Sequence, residues 1–363
     1  MTYLNLQTIS NSFEILIKLD DFKKIICYHK TKGGFMKDNN LKISVLGCGR
    51  WGSFIAWYMD QVKKYDVTVW GRENDPIVES LFSNKKNEYV EYSDSIHLTH
   101  DLESALTTAD IVIISISSQA LDSFMHNVKE FACYTNKKFV LCMKGIDEKS
   151  GKRLSEVLID NGVPKENIAV WVGPGHIQEF TKNVPSCMVI DSHNEQLTEM
   201  LVESFSSNLI RFYIGSDIVG TEIGAAAKNV MGVAAGMLDG LGYTVLKGAL
   251  MARGAREVAR LIKACGGNEL SAYGLCHIGD YEATLFSQHS HNRKFGELFV
   301  KGETFSKLAE GVSTSHAMLT LAEEKGVDLP ITKAVYNIIN NLQTPSEILD
   351  EFFGRSKKKE FLN

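Results

Sequence analysis

The chain predicts an α/β doubly wound domain followed by an all-α domain. Three features of its 363 residues carry that reading. Short apolar strands alternate with helical stretches up to about residue 217, a pattern that builds a parallel sheet with helices on both faces. A glycine-rich turn stands directly after the first strand. Beyond Asp217 the strand-like segments stop and only helical periodicity continues.

In chain order, "KISVLG" from Lys42 is a buried strand by its β-branched and aliphatic content. "DVTVWGR", "ADIVIISIS", "KFVLCMKGI", "IAVWVGPGH", "SCMVIDS" and "LIRFYIG" are further strands. His97 and His100 flank one more short strand. "LESALTT" and "KRLSEVLIDNG" are intervening helices. Residues 218–241, "LKGALMARGAREVARLIKACGG", "TFSKLAEGVSTSHAMLTLAEEKG" and "PITKAVYNIINNL" follow as helices, with Pro330 where a helix start tolerates proline. The expected organisation is an extension over 1–40, a first domain over 41–217, a helical domain over 218–345 and a tail over 346–363 that ends in the charged "GRSKKKEFLN". Residues 1–40 show weak periodicity and a loop-like "TKGGFMKDNN". Two readings stay open for them: a true N-terminal extension, or translation through a purine-rich ribosome-binding site ("KGGFM") ahead of a start at Met36.

A net charge of −5 argues against a broad basic surface for nucleic acid. Seven cysteines, an odd number without a C-x-x-C pair, point to free thiols in a reducing compartment, so a cytoplasmic location is expected. No apolar run reaches the length of a membrane span, and the N-terminal stretch is a poor signal peptide because charges break it. "HLTH" and "HSH" lack the cysteine or acidic partners of a zinc site, so no metal is expected.

"GCGRWG" places Gly47, Gly49 and Gly52 between a strand and a helix start. In that context the three glycines serve, in order, the tight turn, the close approach of backbone to a pyrophosphate, and helix–strand packing. This marks the first domain as Rossmann-type and dinucleotide-binding, with phosphates at a helix N-terminus. At the end of the second strand, where an acid binds the ribose of NAD, the chain reads "VWGRE". Arg72 permits NADP by pairing with a 2′-phosphate, and NAD remains open. The plainer reading of Arg72 is a surface arginine.

"TEIGAAAKNVMGVAAG" sets Lys228 and Asn229 in a helix of small residues. Thr221, Gly224, Ala225, Lys228, Asn229, Gly232, Ala235 and Gly236 share one face, which leaves room for a substrate and a nicotinamide. A buried lysine is costly unless paired, but burial lowers its pKa toward neutrality and suits it to proton transfer. The bland alternative is a salt-bridged interface lysine. Lys144 in "CMKGI" and the loop "GPGH" stand at carboxyl ends of strands, where doubly wound sheets bind ligands. Asp280 in "GLCHIGD" and Asn292 with Arg293 in "SHNR" supply an acid and polar groups. Together they suit a small, anionic, hydroxylated substrate.

From about Lys42 to about Leu342 the chain resembles the NAD(P)-dependent glycerol-3-phosphate dehydrogenases of the bacterial cytosolic type. The resemblance runs in order through "VLGCGRWG", "VWGR", "MKG", "GPGH", "EIGAAAKNV", "GLCHIGD", "SHNR" and "AEGV". It implies that Lys228 is the catalytic lysine acting at C2 and that Asp280 bonds substrate and lysine. It implies substrate contacts for Lys144, Gly173, Gly175, Ser290, His291 and Asn292, with Asn229 helping to hold the ammonium and Arg293 neutralising phosphate. Arg50, Trp51, Arg72, Ile177 and Glu310 correspond to cofactor contacts, as does Lys144. The chain departs from the family at His291 (usually Arg), Gly175 (usually Ser or Thr) and Ser117 (commonly Pro). A histidine beside a phosphate dianion should titrate above about 6.5. The expected reaction is reversible hydride transfer between glycerone phosphate and sn-glycerol 3-phosphate by a homodimer, feeding glycerophospholipid synthesis. Alternatives are a divergent paralogue reducing another small keto acid or ketone, and a cofactor-binding sensor without turnover.

Overall fold

The structure is a computed structural model that describes residues 41–357, 359 and 360. The extension 1–40 and its two readings lie outside the described residues. Eight strands form one sheet: β1 (Lys42–Leu46), β2 (Asp66–Trp70), β3 (His97–Thr99), β4 (Ile111–Ile114), β5 (Lys138–Leu141), β6 (Ile168–Val172), β7 (Ser186–Ser192) and β8 (Ile210–Ile214). Their order is β3-β2-β1-β4-β5-β6-β7-β8. Strand residues alternate between two cores, as a period of two requires. Ile43, Val45, Val67, Val69, Ile111 and Ile113 face one layer of helices. Leu46, Trp70, Val112 and Ile114 face the other.

The sheet is parallel except where β7 runs antiparallel to β6. This corrects the expectation of a wholly parallel sheet. The segment between them holds only the four-residue helix Ile177–Phe180. That helix spans ~6 Å, far less than a strand length, so the chain turns back instead of crossing over.

The helical half begins four residues after β8, with the 23-residue helix Ile218–Gly240. Nearly all of this helix is buried, and helices Lys247–Ala264, His291–Val300, Gly311–Lys325 and Pro330–Ile339 surround it. The expected helix over 304–326 starts only at Gly311. The expected tail is helical over Pro345–Gly354, where Ile348 is 6% exposed and joins the core. Thr344 caps that helix with Glu347 three residues on, a capping box that the sequence displays as "TPSE". The two halves are joined by a buried ion pair. Arg153 bonds Glu222 at 2.6 Å, and Ser155 donates to the same carboxylate from its backbone N–H at 2.9 Å.

The small-residue face of Ile218–Gly240 has a different purpose from the one expected. It does not leave space. A Cβ at Gly236 would lie 1.8 Å from the carbonyl oxygen of Arg293, and one at Gly296 would lie 2.1 Å from that of Val233. The two helices therefore meet backbone to backbone, which only glycine allows. This approach carries the start of the helix His291–Val300 down to the level of Lys228 and Asn229. Gly236→Ala should consequently unfold more easily. The clash is with backbone, so a loss of about 2–4 kcal/mol is expected, within the range for overpacking and strain. A thermal melt checks it: a midpoint within a degree of the parent would mean that the helices separate at no cost.

Candidate active site

The glycine turn after β1 has the geometry of a phosphate cradle. Gly47 adopts φ +99°, and a Cβ there would meet the carbonyl oxygen of Ser115 at 2.4 Å. A Cβ at Gly52 would meet that of Gly47 at 2.0 Å. Nothing lies within 4 Å of a Cβ at Gly49, the N-cap of the helix Arg50–Trp57. The turn is thus closed beneath and open above the helix N-terminus, and these residues fit a pyrophosphate. Trp51 packs on Phe54 and Phe180 beside it.

At the carboxyl ends of β5 and β6, Lys144 donates to the carbonyl oxygen of Gly173 at 2.7 Å and to Asp280 at 2.6 Å. Lys228 reaches the same oxygen of Asp280 at 3.2 Å and donates to Thr284 Oγ1 at 2.8 Å. The Asp280 side chain is 1% exposed, and that of Lys228 is 11% exposed. One buried carboxylate therefore serves two ammonium groups. Burial lowers the pKa of Lys228 to about 8; Asp280 acts against that fall and Lys144 adds to it. Glu310 stands near both lysines; burial raises its pKa, and Ser118 donates to it at 3.4 Å.

Asn229 differs from its expected role. It donates to the backbone carbonyl of Lys144 at 2.8 Å and accepts from Asn292 at 3.0 Å, rather than holding the Lys228 ammonium. Asn292 in turn accepts from the backbone N–H of Gly311 at 2.9 Å. Two amides thus tie the strand end that carries Lys144 to three helices of the other half. Ser290 caps the helix His291–Val300 and accepts from Arg293 N at 3.3 Å.

Arg293 does not join this cluster. Its guanidinium bonds Asp239 at 2.5 Å and the carbonyl oxygen of Ser287 at 3.1 Å. Asp239 lies three turns beyond Lys228, ~16 Å along the helix axis, and also pairs with Lys247. That network satisfies the arginine and removes it from the candidates for the phosphate. His291 accepts from Arg50 at 3.5 Å, so it bridges the glycine turn and the helical half. Burial, then the charges of Arg50 and Lys307, lower its pKa.

Gly175 is accounted for by its neighbour. A Cβ there would lie 2.4 Å from the ring of Phe180, which fills the place of a larger side chain and stacks on Phe54 at 4.9 Å. Gly173 adopts φ +133° against β7. Ile177 is buried at the start of its short helix. Sequence reasoning missed Thr284, four residues after Asp280 and on the same side of a helical turn, and His176, the last residue of "GPGH". The spacing of Asp280 and Thr284 was a readable signal.

Comparison with known proteins shows the family. Residues 42–198 match the NAD-dependent glycerol-3-phosphate dehydrogenase N-terminus, and residues 217–350 match the C-terminus of the same family. The chain belongs to that family. It is 34% identical over 332 residues to a glycerol-3-phosphate dehydrogenase [NAD(P)+] of Thermoanaerobacter sp. (strain X514), covering 88% of this chain and 99% of the relative. The corresponding protein of Chlorobium limicola is 33% identical over 334 residues, with the same coverage. The crystal structure of the Coxiella burnetii glycerol-3-phosphate dehydrogenase superposes with a TM-score of 0.79 at 26% identity, covering 87% of this chain and all of that one. Among the described residues no helix is long and apolar enough to cross a membrane. The six described cysteines are free.

Arg72, 77% exposed, pairs with Asp75 at 3.1 Å, and Asp75 caps the helix Pro76–Asn84 by accepting from Ile77 N at 3.0 Å. A 2′-phosphate on Arg72 has to displace a fixed carboxylate. Asp75→Asn keeps the cap, since asparagine caps as well as aspartate, and should improve NADPH binding severalfold with little effect on NADH. Arg72→Ala should weaken NADPH about tenfold to a hundredfold more than NADH. Fluorescence titration of both cofactors decides this; equal changes for the two would remove Arg72 from the 2′-phosphate.

Proposed function

We propose that this chain reversibly reduces glycerone phosphate to sn-glycerol 3-phosphate with NADH or NADPH, a reaction that feeds glycerophospholipid synthesis. The observation that carries the proposal is the Asp280 carboxylate shared by Lys144 and Lys228 beside a glycine cradle fit for a dinucleotide. Family membership over 88% of the chain supports it. The bound nicotinamide supplies or accepts the hydride. The chain's own residues supply orientation and charge.

Lys228 is the proton donor to the C2 oxygen in reduction and the acceptor in oxidation. With a pKa of about 8, its ammonium is the main form at neutral pH and its amine is accessible just above. Asp280 holds both ammonium groups in place, and Thr284 fixes the direction of Lys228. Lys144, in the same cluster as Lys228, and the helix N-terminus capped by Ser290 receive the phosphate, whereas Arg293 is turned toward Asp239. Arg50, Trp51, Ile177 and Glu310 border the cofactor side, with His291 bridging to it through Arg50. A homodimer and a cytoplasmic location belong to the same proposal and rest on the family resemblance.

A turnover assay with both cofactors and a panel of phosphorylated and unphosphorylated ketones tests the assignment, with glycerone phosphate expected to be the best substrate. Reduction needs the Lys228 ammonium, so its kcat/KM should hold below about pH 8 and fall tenfold per unit above it. Oxidation should rise up to the same pH. Lys228→Ala should lose about 10²–10⁴ in kcat while still binding NADH. Retention of more than about a tenth of kcat would make Lys228 structural.

A further inference from the structure

His176 follows β6 in the loop that also holds Gly173 and Gly175, and it has no part in the chemistry assigned above. Neither of its ring nitrogens bonds the protein among the described residues, and Nε2 is also sealed from solvent. A buried polar atom left in this condition costs ~1–3 kcal/mol, so it calls for a reason. Its surroundings supply one. The charges of Lys228, Asp280, His289 and Arg50 act on it, and Glu179 and Glu282 line the cleft beside it. The His289 ring meets it edge-on at 5.6 Å. His176 also borders a cleft of about 160 Å³, with Gly175 and Phe180 beside it and Gly279, Glu282 and Ala283 opposite, the residues that flank Asp280. The χ2 torsion of histidine is broad and roughly two-fold, so both orientations of the ring are intrinsically allowed.

Resting on the proposed activity, we infer that His176 is a specificity-determining residue whose imidazole hydrogen-bonds the free primary hydroxyl of the phosphorylated hydroxyketone. The charge state fits that ligand. Burial, and then the positive charge of Lys228, lower the pKa of His176 to about 4, so the ring is neutral at the pH of the reaction. A neutral imidazole has one donor and one acceptor, which match a hydroxyl. A phosphate would instead call for a cation, and the cations here are Lys144, Lys228 and Arg50. His176 thus holds the uncharged end of the substrate while Lys228 acts at the neighbouring carbon.

The test compares glycerone phosphate with acetonyl phosphate, its analogue lacking the hydroxyl, in the full-length protein. The parent should favour glycerone phosphate in kcat/KM by about tenfold to a hundredfold, the effect of one hydrogen bond to a buried partner. His176→Phe should lose that preference by falling on glycerone phosphate and changing less than about threefold on acetonyl phosphate. His176→Gln, which keeps a donor and an acceptor, should retain part of the preference. NADH affinity, read by fluorescence, should stay constant in both variants. Equal losses on the two substrates, or no loss, in whichever variant binds NADH normally would overturn the inference. A parent that does not turn over glycerone phosphate would instead overturn the proposed function.

Discussion

One carboxylate organises the candidate active site. Asp280 is buried, and a lone buried anion is costly, so it requires cations within bonding distance. It has two, one from each half of the chain: Lys144 at the end of β5 and Lys228 in the central helix. Either lysine alone with Asp280 would form a neutral pair. Both together bring more positive charge to a sheltered place than Asp280 alone offsets, with Glu310 nearby moderating it, and that suits an anionic, carbonyl-bearing substrate. The same arrangement keeps Lys228 within reach of its neutral form, because burial and Lys144 oppose its charge while Asp280 only partly compensates.

The rest of the helical half holds that cluster in place. Backbone contact at Gly236 and Gly296 brings in the helix His291–Val300 close enough for Asn292 to reach Asn229. The amides then grip the backbone of Lys144 and of Gly311. Asn229 thus acts on the neighbouring lysine of the cluster through its carbonyl. Arg293, next to Asn292, ties the start of the helix His291–Val300 to Asp239 near the end of the central helix, so this arginine is spent on structure.

Much of this was legible in the sequence. The strand–turn–helix pattern revealed the sheet, because alternation and glycine spacing are local signals. Lys228 was legible because a charge in a helix of small apolar residues is unusual, Lys144 by its place at the carboxyl end of a strand and Asp280 by its loop motif, and the structure brings the three together. What remained illegible depended on contacts distant in sequence. The small-residue face suggested space, since a sequence does not show which helix will fill it. The roles of Asn229 and Arg293 turned on partners 63 and 54 residues away. Gly175 looked like a loss of a substrate contact until Phe180 was seen to occupy its place. The helix Pro345–Gly354 was missed although its capping box was on display.

The central claim is that burial lowers the proton affinity of Lys228 and that Asp280 partly restores it. The direct measurement is an NMR titration of selectively labelled lysine side chains in the parent and in Asp280→Asn. The parent signal assigned to Lys228 should titrate near pH 8, well below an ordinary lysine. In Asp280→Asn it should titrate lower still, because the main anion that supports the ammonium is gone while burial and Lys144 remain and Glu310 gives only weaker support. A Lys228 signal that titrates near 10.5 in the parent, or that does not move on removal of the carboxylate, would contradict the account.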